Sequence, residues 1–156
     1  MFSSTLASSL FIALASSAGA LAETHTITFV NNCGRGTPTL VAQNGAILST
    51  GGNFVSNGPI VGAIAYLQTG NCGHNGENCL IVETSLINGR SSTDLSLIPP
   101  HAFQVTTGFG YFGGCEPAGA DCTNANCGTA FHKPSDTFVQ VGCAANNENL
   151  AITFCK

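Results

Sequence analysis

The sequence predicts an all-β protein, an antiparallel β-sandwich that is rich in disulfide bonds. Short runs of Val, Ile, Leu, Phe and Thr follow one another along most of the chain, with no helical periodicity between them. The dipeptide Asn-Gly, which favours tight hairpin turns, occurs four times, at residues 44, 57, 75 and 88. The chain also contains eight cysteines, all beyond residue 22, and an even number of cysteines in a secreted chain indicates disulfides.

The strand prediction is clearest at the two ends of the chain. A first strand begins at Thr26 and runs to the residues before Cys33, and a last strand spans residues 150–154, directly before Cys155. Both alternate apolar and polar side chains, as half-buried strands do. The Asn-Gly pairs are expected to supply the positive φ angles of type I′ hairpin turns. Further strands are predicted at residues 39–43, 60–68, 79–87, 94–98, 102–106, 109–112 and 136–141.

Residues 1–22 have the features of a secretory signal peptide rather than of a folded element. An apolar run is followed by small residues, and Ala20-Leu-Ala22 forms an A-x-A cleavage site. Cleavage is expected before Glu23, with Ala18-Gly-Ala20 as an alternative site. Residues 23–156 then suit a single domain, and we expect the protein to be secreted, either extracellular or in a cell wall.

The charge of the chain argues against several classes of partner. Four Lys and Arg residues stand against eight Asp and Glu, for a formal net charge of −4, so the basic patch that nucleic acid or an anionic membrane requires is absent. Asn, Ser, Thr and Gly carry most of the polarity, and neutral donors and acceptors of this kind suit sugar hydroxyls. The lack of Trp removes one stacking platform for sugar rings. We expect a monomer with a polysaccharide as its partner.

Several segments resemble, in the same order, segments of thaumatin-like proteins. Residues 26–33 and 152–155 are similar to the two ends of that family's chains, and residues 127–143 to its penultimate block. Leu-Ile-Val-Glu-Thr-Ser-Leu at residues 80–86 resembles the family's Thr-Leu-Ala-Glu-Phe-Ser-Leu. Residues 93–103 resemble its Asp-(Ile/Val)-Ser-Leu-Val-Asp segment. The resemblance implies a small, fungal-type member of the family with a thaumatin-like β-sandwich.

The resemblance also implies how the cysteines pair, which their spacing alone does not decide. The alternative role of these cysteines is to bind zinc as thiolate ligands. We disfavour zinc binding because a secreted chain meets an oxidising environment. No cofactor is expected. The implied disulfides are Cys33–Cys155, Cys72–Cys79, Cys115–Cys143 and Cys122–Cys127.

Members of the family carry an acidic cleft between their sheets, and some are β-glucanases. Glu83, Asp94 and Asp136 match acids of that cleft and are our candidate ligand-binding residues. A second family Asp falls on Pro99, and the family's Arg has no match, since Leu67-Gln68 stand at its place. Without those two groups we expect Glu83 and Asp94 to titrate as ordinary exposed carboxylates, both charged above about pH 5. The opposing interpretation is that all three acids are solvated and form no site.

Hydrolysis of a glycosidic bond requires one protonated acid and one ionised carboxylate. Glu83 is the candidate acid and Asp94 its partner, but we expect sugar binding without cleavage. The function that the sequence favours is therefore a non-catalytic, secreted protein that binds cell-wall β-glucan or acts in defence against microbes. The alternatives are a weak endo-β-1,3-glucanase that uses Glu83 and Asp94, and a structural wall component or host-interaction effector without a small ligand.

One further metal site follows from the predicted cleavage. If Glu23 begins the mature chain, its free amine, two backbone amides and the imidazole of His25 could surround Cu(II). The competing interpretation is that His25 simply begins the first strand. We favour a purely structural role for His25 in the first strand, so no metal is expected.

Overall fold

A computed structural model describes residues 23–156, which form two packed β-sheets; the predicted signal peptide, residues 1–22, lies outside the described residues. Within this range the structure contains strands and turns, and no helix is long and apolar enough to cross a membrane. The strands are β1 (His25–Asn31), β2 (Thr37–Val41), β3 (Ile47–Thr50), β4 (Phe54–Ser56), β5 (Ile60–Gln68), β6 (Ile81–Leu86), β7 (Ser91–Ser96), β8 (Thr107–Phe112), β9 (Gly119–Cys122), β10 (Ala130–Phe131), β11 (Val141–Cys143) and β12 (Asn149–Phe154).

The five-stranded sheet contains the first and the last described strands as neighbours. Its strand order is β4-β1-β12-β8-β9. Strands β1 and β12 run parallel, with Ile27 opposite Leu150 and Asn31 opposite Phe154. The remaining pairs in this sheet are antiparallel. The alternating patterns recognised at both ends of the sequence therefore meet in the middle of one sheet.

The seven-stranded sheet is built largely from consecutive hairpins. Its order is β10-β7-β6-β5-β2-β3, and β11 also pairs with β7. The pairs are antiparallel, except that the short β10 runs parallel to β7. The prediction of an antiparallel sandwich is confirmed for most strand pairs, and β1–β12 and β10–β7 are the two parallel exceptions among the described strands.

The core lies between the inner faces of the two sheets. Alternation along each strand places every second side chain inside, so that β12 contributes Leu150, Ile152 and Phe154. A buried polar contact links the sheets, because the Tyr111 hydroxyl of β8 lies 2.9 Å from Thr93 Oγ1 of β7. Other fully buried members of the core include Ile27, Leu40, Ala65, Leu67, Leu80, Val82, Leu86 and Leu95.

Four disulfides cross-link the chain, and no described cysteine is free. They tie the two ends together, close two short loops and fasten the segment after β8 to β11. All the cysteines of the zinc alternative are consumed in these bonds. The pairs are Cys33–Cys155, Cys72–Cys79, Cys115–Cys143 and Cys122–Cys127, the same four that the resemblance implies.

Two predicted strands are not strands. Residues 136–141 form a loop up to Val141, because the Asp136 carboxylate accepts the backbone N–H groups of His132 and Lys133 and holds a turn instead. Residues 102–106 connect β7 in one sheet to β8 in the other, so they cross the end of the sandwich without a strand partner. The short strands β3, β4, β9 and β10 were not predicted.

The Asn-Gly turns behave differently from the type I′ prediction. Two of them join hairpins, β2 to β3 and β6 to β7. Gly45 and Gly89 adopt positive φ values of 83° and 77°, whereas Asn44 and Asn88 do not have positive φ. A type I′ turn requires positive φ at both central residues. The hairpins therefore form with glycine alone in the left-handed region.

Candidate functional site

Glu83 and Asp94 are direct neighbours across strands β6 and β7. Val82 and Thr84 point into the core, so Glu83 between them projects from the outer face of the seven-stranded sheet. Directly opposed residues of an antiparallel pair have Cβ atoms roughly 4.5–5.5 Å apart. The register thus brings the two candidate carboxyl groups together on one face, away from the core.

A cavity of about 260 Å³ surrounds the two carboxyl groups. Its wall is polar on the side of β6 and β7, where the hydroxyls of Ser85 and Ser92 flank the acids. Gln140, directly before β11, also lines the cavity, and the pairing of β11 with β7 places it beside Asp94. The arrangement supplies carboxyl, hydroxyl and amide groups within one small volume. The remaining lining residues are Gly62, Ala63, Ile64 and Thr84.

Asp94 is buried, with 5% of its surface exposed, and this overturns the expectation of an ordinary exposed carboxylate. Burial raises the pKa of Asp94 to about 7, and the charge of Glu83 adds to the effect. Hydrogen bonding with the side chain of Gln140 opposes the increase in part, and hydrogen bonding with the side chain of Glu83 adds to it. The expectation failed because it considered the missing acid and the missing Arg but not burial, which is the largest cause of the raised pKa of Asp94.

One oxygen of Asp94 has no hydrogen-bond partner. Its Oδ1 atom is buried and unpaired within the described residues. An unpaired buried polar group is costly, and buried polar groups in proteins are normally satisfied. A ligand hydroxyl that enters the cavity would provide the missing partner. Because Asp94 holds its proton up to about pH 7, it is also the member of the pair suited to proton donation, a role that we had assigned to Glu83.

The structure places Asp136 outside this cavity. Its Oδ2 atom accepts the backbone N–H groups of His132 at 2.9 Å and Lys133 at 3.2 Å. The hydrogen bond from the His132 backbone is the main cause that lowers the pKa of Asp136. The carboxylate therefore shapes the loop that precedes Gln140, whereas Glu83 and Asp94 line the cavity.

His25 is enclosed rather than available for copper. The ring is fully buried; Nδ1 lies 2.6 Å from the carbonyl oxygen of Glu148, and Nε2 lies 3.0 Å from Oε1 of Glu23. The backbone N–H of Thr24, which a copper chelate would deprotonate, donates to Asn147 Oδ1 at 3.0 Å. The copper alternative is therefore inconsistent with the folded chain. Within residues 23–156 no cluster of three or more His, Cys, Asp or Glu residues is placed to hold a metal ion.

The polar side chains that flank the two acids in the cavity were not predicted from the sequence: Ser85, Ser92 and Gln140. The two serines could have been found, because they lie two positions from Glu83 and from Asp94 and so share their face. Gln140 gave no such signal. It belonged to a run predicted as a strand, and only the loop around Asp136 brings its side chain over Asp94.

Comparison with known proteins gives a match at the level of fold. No family model matches the sequence, and no curated protein matches it. Among solved structures, the thaumatin-like xylanase inhibitor TLXI matches with a TM-score of 0.52 and 17% sequence identity. The match covers 85% of this chain and 99% of the inhibitor. Together with the two packed β-sheets and the four disulfides, this match shows that the chain has the thaumatin-like fold.

Proposed function

We propose that this protein is secreted and binds a neutral cell-wall polysaccharide, a β-glucan, through the cavity around Glu83 and Asp94. In this proposal residues 1–22 are removed as a signal peptide and residues 23–156 act as one domain and as a monomer. Four disulfides support export, since such bonds persist in oxidising compartments. A role in defence against microbes is compatible with binding of this kind.

The unpaired Oδ1 atom of Asp94 carries the proposal. It is buried beside a second carboxyl group, two serine hydroxyls and an amide, in a cavity that opens on the face of a sheet. Vicinal hydroxyls of a sugar ring can donate to a carboxylate and accept from an amide or hydroxyl at the same time.

The proposal is tested by incubating the pure protein with insoluble β-glucan and, in parallel, with chitin. Wild type is expected to sediment with β-glucan. Glu83→Gln and Asp94→Asn are each expected to weaken binding by about tenfold or more, because each removes a charged or buried partner of a sugar hydroxyl. Asp121→Asn is the matched control, since Asp121 is an exposed acid of the other sheet, paired with Lys156.

The outcomes separate the alternatives. Sedimentation with β-glucan that depends on Glu83 and Asp94 but not on Asp121 supports the proposal. Equal loss in all three variants would indicate a general charge effect and refute the site. Absence of binding to both polysaccharides, together with absence of cleavage, would favour the third alternative, a structural or effector protein without a small ligand.

A weak β-1,3-glucanase is the second candidate function, and one observation favours it. The pKa of Asp94 is raised to about 7 beside the half-buried Glu83, which is the arrangement that lets one carboxyl stay protonated while its neighbour is charged. Asp94 would then be the acid. The binding proposal still expects no cleavage, because Leu67-Gln68 and Pro99 stand where the resemblance would place the family's Arg and second Asp, and none of these three residues lines the cavity.

Release of reducing ends from laminarin distinguishes the two functions. Enzymatic activity would decline as the pH rises through about 7, where Asp94 loses its proton, and Asp94→Asn would abolish it. No release at any pH between about 5 and 8 agrees with binding alone. Release that depends on Asp94 would replace the binding proposal with the enzyme.

A further inference from the structure

Phe138 is the most exposed large apolar side chain among the described residues. Its relative exposure is 79%, compared with 57% for Val55, the next in order. The residue lies in the loop between Asp136 and β11, the same loop that brings Gln140 over Asp94. At this exposure the ring adds little to the hydrophobic stabilisation of the fold, which depends on apolar area removed from water.

The loop also lines a second cavity. This cavity, of about 180 Å³, is lined by Phe138, Val139 and Gln140 on one side and by Thr129 and Gly119 on the other. Gln140 lines both cavities. Each cavity alone is smaller than the roughly 300–1,000 Å³ typical of small-ligand sites, whereas the two together fall within that range.

The two cavities differ in chemistry in a complementary way. The first presents the carboxyl groups of Glu83 and Asp94, including the buried Oδ1 atom without a partner. The second presents an exposed aromatic ring with the hydroxyl of Thr129 opposite. A pyranose ring has an apolar face of C–H groups and a polar edge of hydroxyls. Its face fits a flat aromatic ring, and its edge fits carboxyl and hydroxyl groups.

We propose that Phe138 and Gln140 form a second saccharide subsite beside the Glu83–Asp94 cavity, so that the protein binds an oligosaccharide of consecutive neutral sugars rather than a single unit. This inference rests on the proposed function and specifies its ligand. The ring of Phe138 stacks on one sugar, the carboxyl groups hold the next, and the Gln140 amide lies at the junction. The ligand class is a neutral β-linked glucan oligomer, since neither cavity contains a Lys or Arg to bind an acidic sugar.

The test compares soluble β-1,3-linked glucose oligomers from a disaccharide to a hexamer. Affinity of wild type is expected to rise with length until both subsites are filled. Phe138→Ala should weaken binding of the longer oligomers about threefold to tenfold and change disaccharide binding little. Ile47→Ala is the matched control: its side chain is 56% exposed on β3 and lines neither cavity.

A direct readout is available because the chain contains no Trp. Phe138→Trp keeps an aromatic platform and creates a single fluorescent reporter at the proposed subsite. Its emission is expected to change on saturation with the hexamer, and its affinity should match or exceed that of wild type. Glu83→Gln in the same background should reduce the affinity while leaving the emission of the free protein unchanged.

These results distinguish the proposed function from the second subsite. Binding that depends on Glu83 but is unaffected by Phe138→Ala at every length overturns the second subsite and leaves the proposed function standing. Indole emission of the Phe138→Trp variant that does not respond to bound hexamer has the same consequence. Failure of wild type to bind any oligomer or insoluble glucan overturns both. Length-dependent binding that Phe138→Ala reduces and Phe138→Trp restores supports the subsite.

Discussion

Replacing Asp94 with Asn is expected to stabilise the folded protein at about pH 8 by roughly 3 kcal/mol, with little effect at about pH 4. Asn has nearly the same shape as Asp but carries no charge. The substitution therefore removes the cost of burying a carboxylate beside Glu83 while it leaves the packing in place.

The magnitude follows from the raised pKa of Asp94. Its ordinary value of 3.8 becomes about 7 in the folded chain, mainly through burial and next through the charge of Glu83. Each pH unit between the two values corresponds to about 1.4 kcal/mol, so the whole interval corresponds to about 4 kcal/mol. We subtract about 1 kcal/mol for the altered hydrogen bonding with Gln140.

The sign of the pH dependence follows from proton binding. Below about pH 4 the carboxyl is protonated in the folded and the unfolded chain, so its burial costs no charge. Between about pH 4 and pH 7 the unfolded chain releases the proton while the folded chain keeps it, and the free energy of unfolding of wild type falls as the pH rises. Above about pH 7 the full cost is present.

Denaturant unfolding of wild type and Asp94→Asn at several pH values, with the disulfides intact, measures this difference. The gap between the two proteins should widen from about pH 4 to about pH 8, and Asp121→Asn, an exposed acid, should show no comparable widening. A stability difference that is constant across this interval would refute the buried, proton-holding state of Asp94. In the Glu83→Gln variant the free energy of unfolding should fall less steeply with rising pH than in wild type. The substitution removes the second cause of the raised pKa of Asp94.

Three further predictions concern the fold. Non-reducing peptide mapping should recover Cys33 linked to Cys155, and replacing both with Ala should lower the free energy of unfolding by about 4–5 kcal/mol in the chain-entropy account. His25→Leu should lower it by roughly 2–4 kcal/mol, because the backbone carbonyl oxygen of the buried Glu148 loses the His25 ring donor, and adding Cu(II) to wild type should give no four-nitrogen d–d band in the visible spectrum. Tyr111→Phe should cost about 1–3 kcal/mol by denaturant unfolding, through the loss of its two buried hydroxyl contacts.

Strands could be predicted from the sequence where turn residues mark both ends of an apolar run. Strand β5, Ile60–Gln68, was predicted with its observed bounds, because its apolar run is framed by Pro and Gly turn residues. The run at residues 136–141 was predicted from its alternation of apolar and polar side chains, yet it forms a loop. Periodicity reports which side chains suit a strand; it does not report whether a partner backbone is present or whether an Asp will hold a turn.

The candidate site was predictable in composition but not in its electrostatics. Resemblance to known segments singled out Glu83 and Asp94, and the register places them side by side. The pKa of Asp94, however, depends mainly on the burial of its carboxyl group in the folded chain. Such burial depends on tertiary contacts, so it could not be predicted from the local sequence around Asp94.

The parallel pairing of β1 with β12 determines the order in which the protein can assemble. Strand β1 has β4 on one side and β12 on the other, and β12 alone connects β1 to β8 in the described sheet. During synthesis β1 emerges long before β12, so the five-stranded sheet stays divided into two fragments until residues Asn149–Phe154 have left the ribosome. Contacts of such long range form slowly. In a chain of this topology the sandwich therefore closes only after the last described strand has arrived.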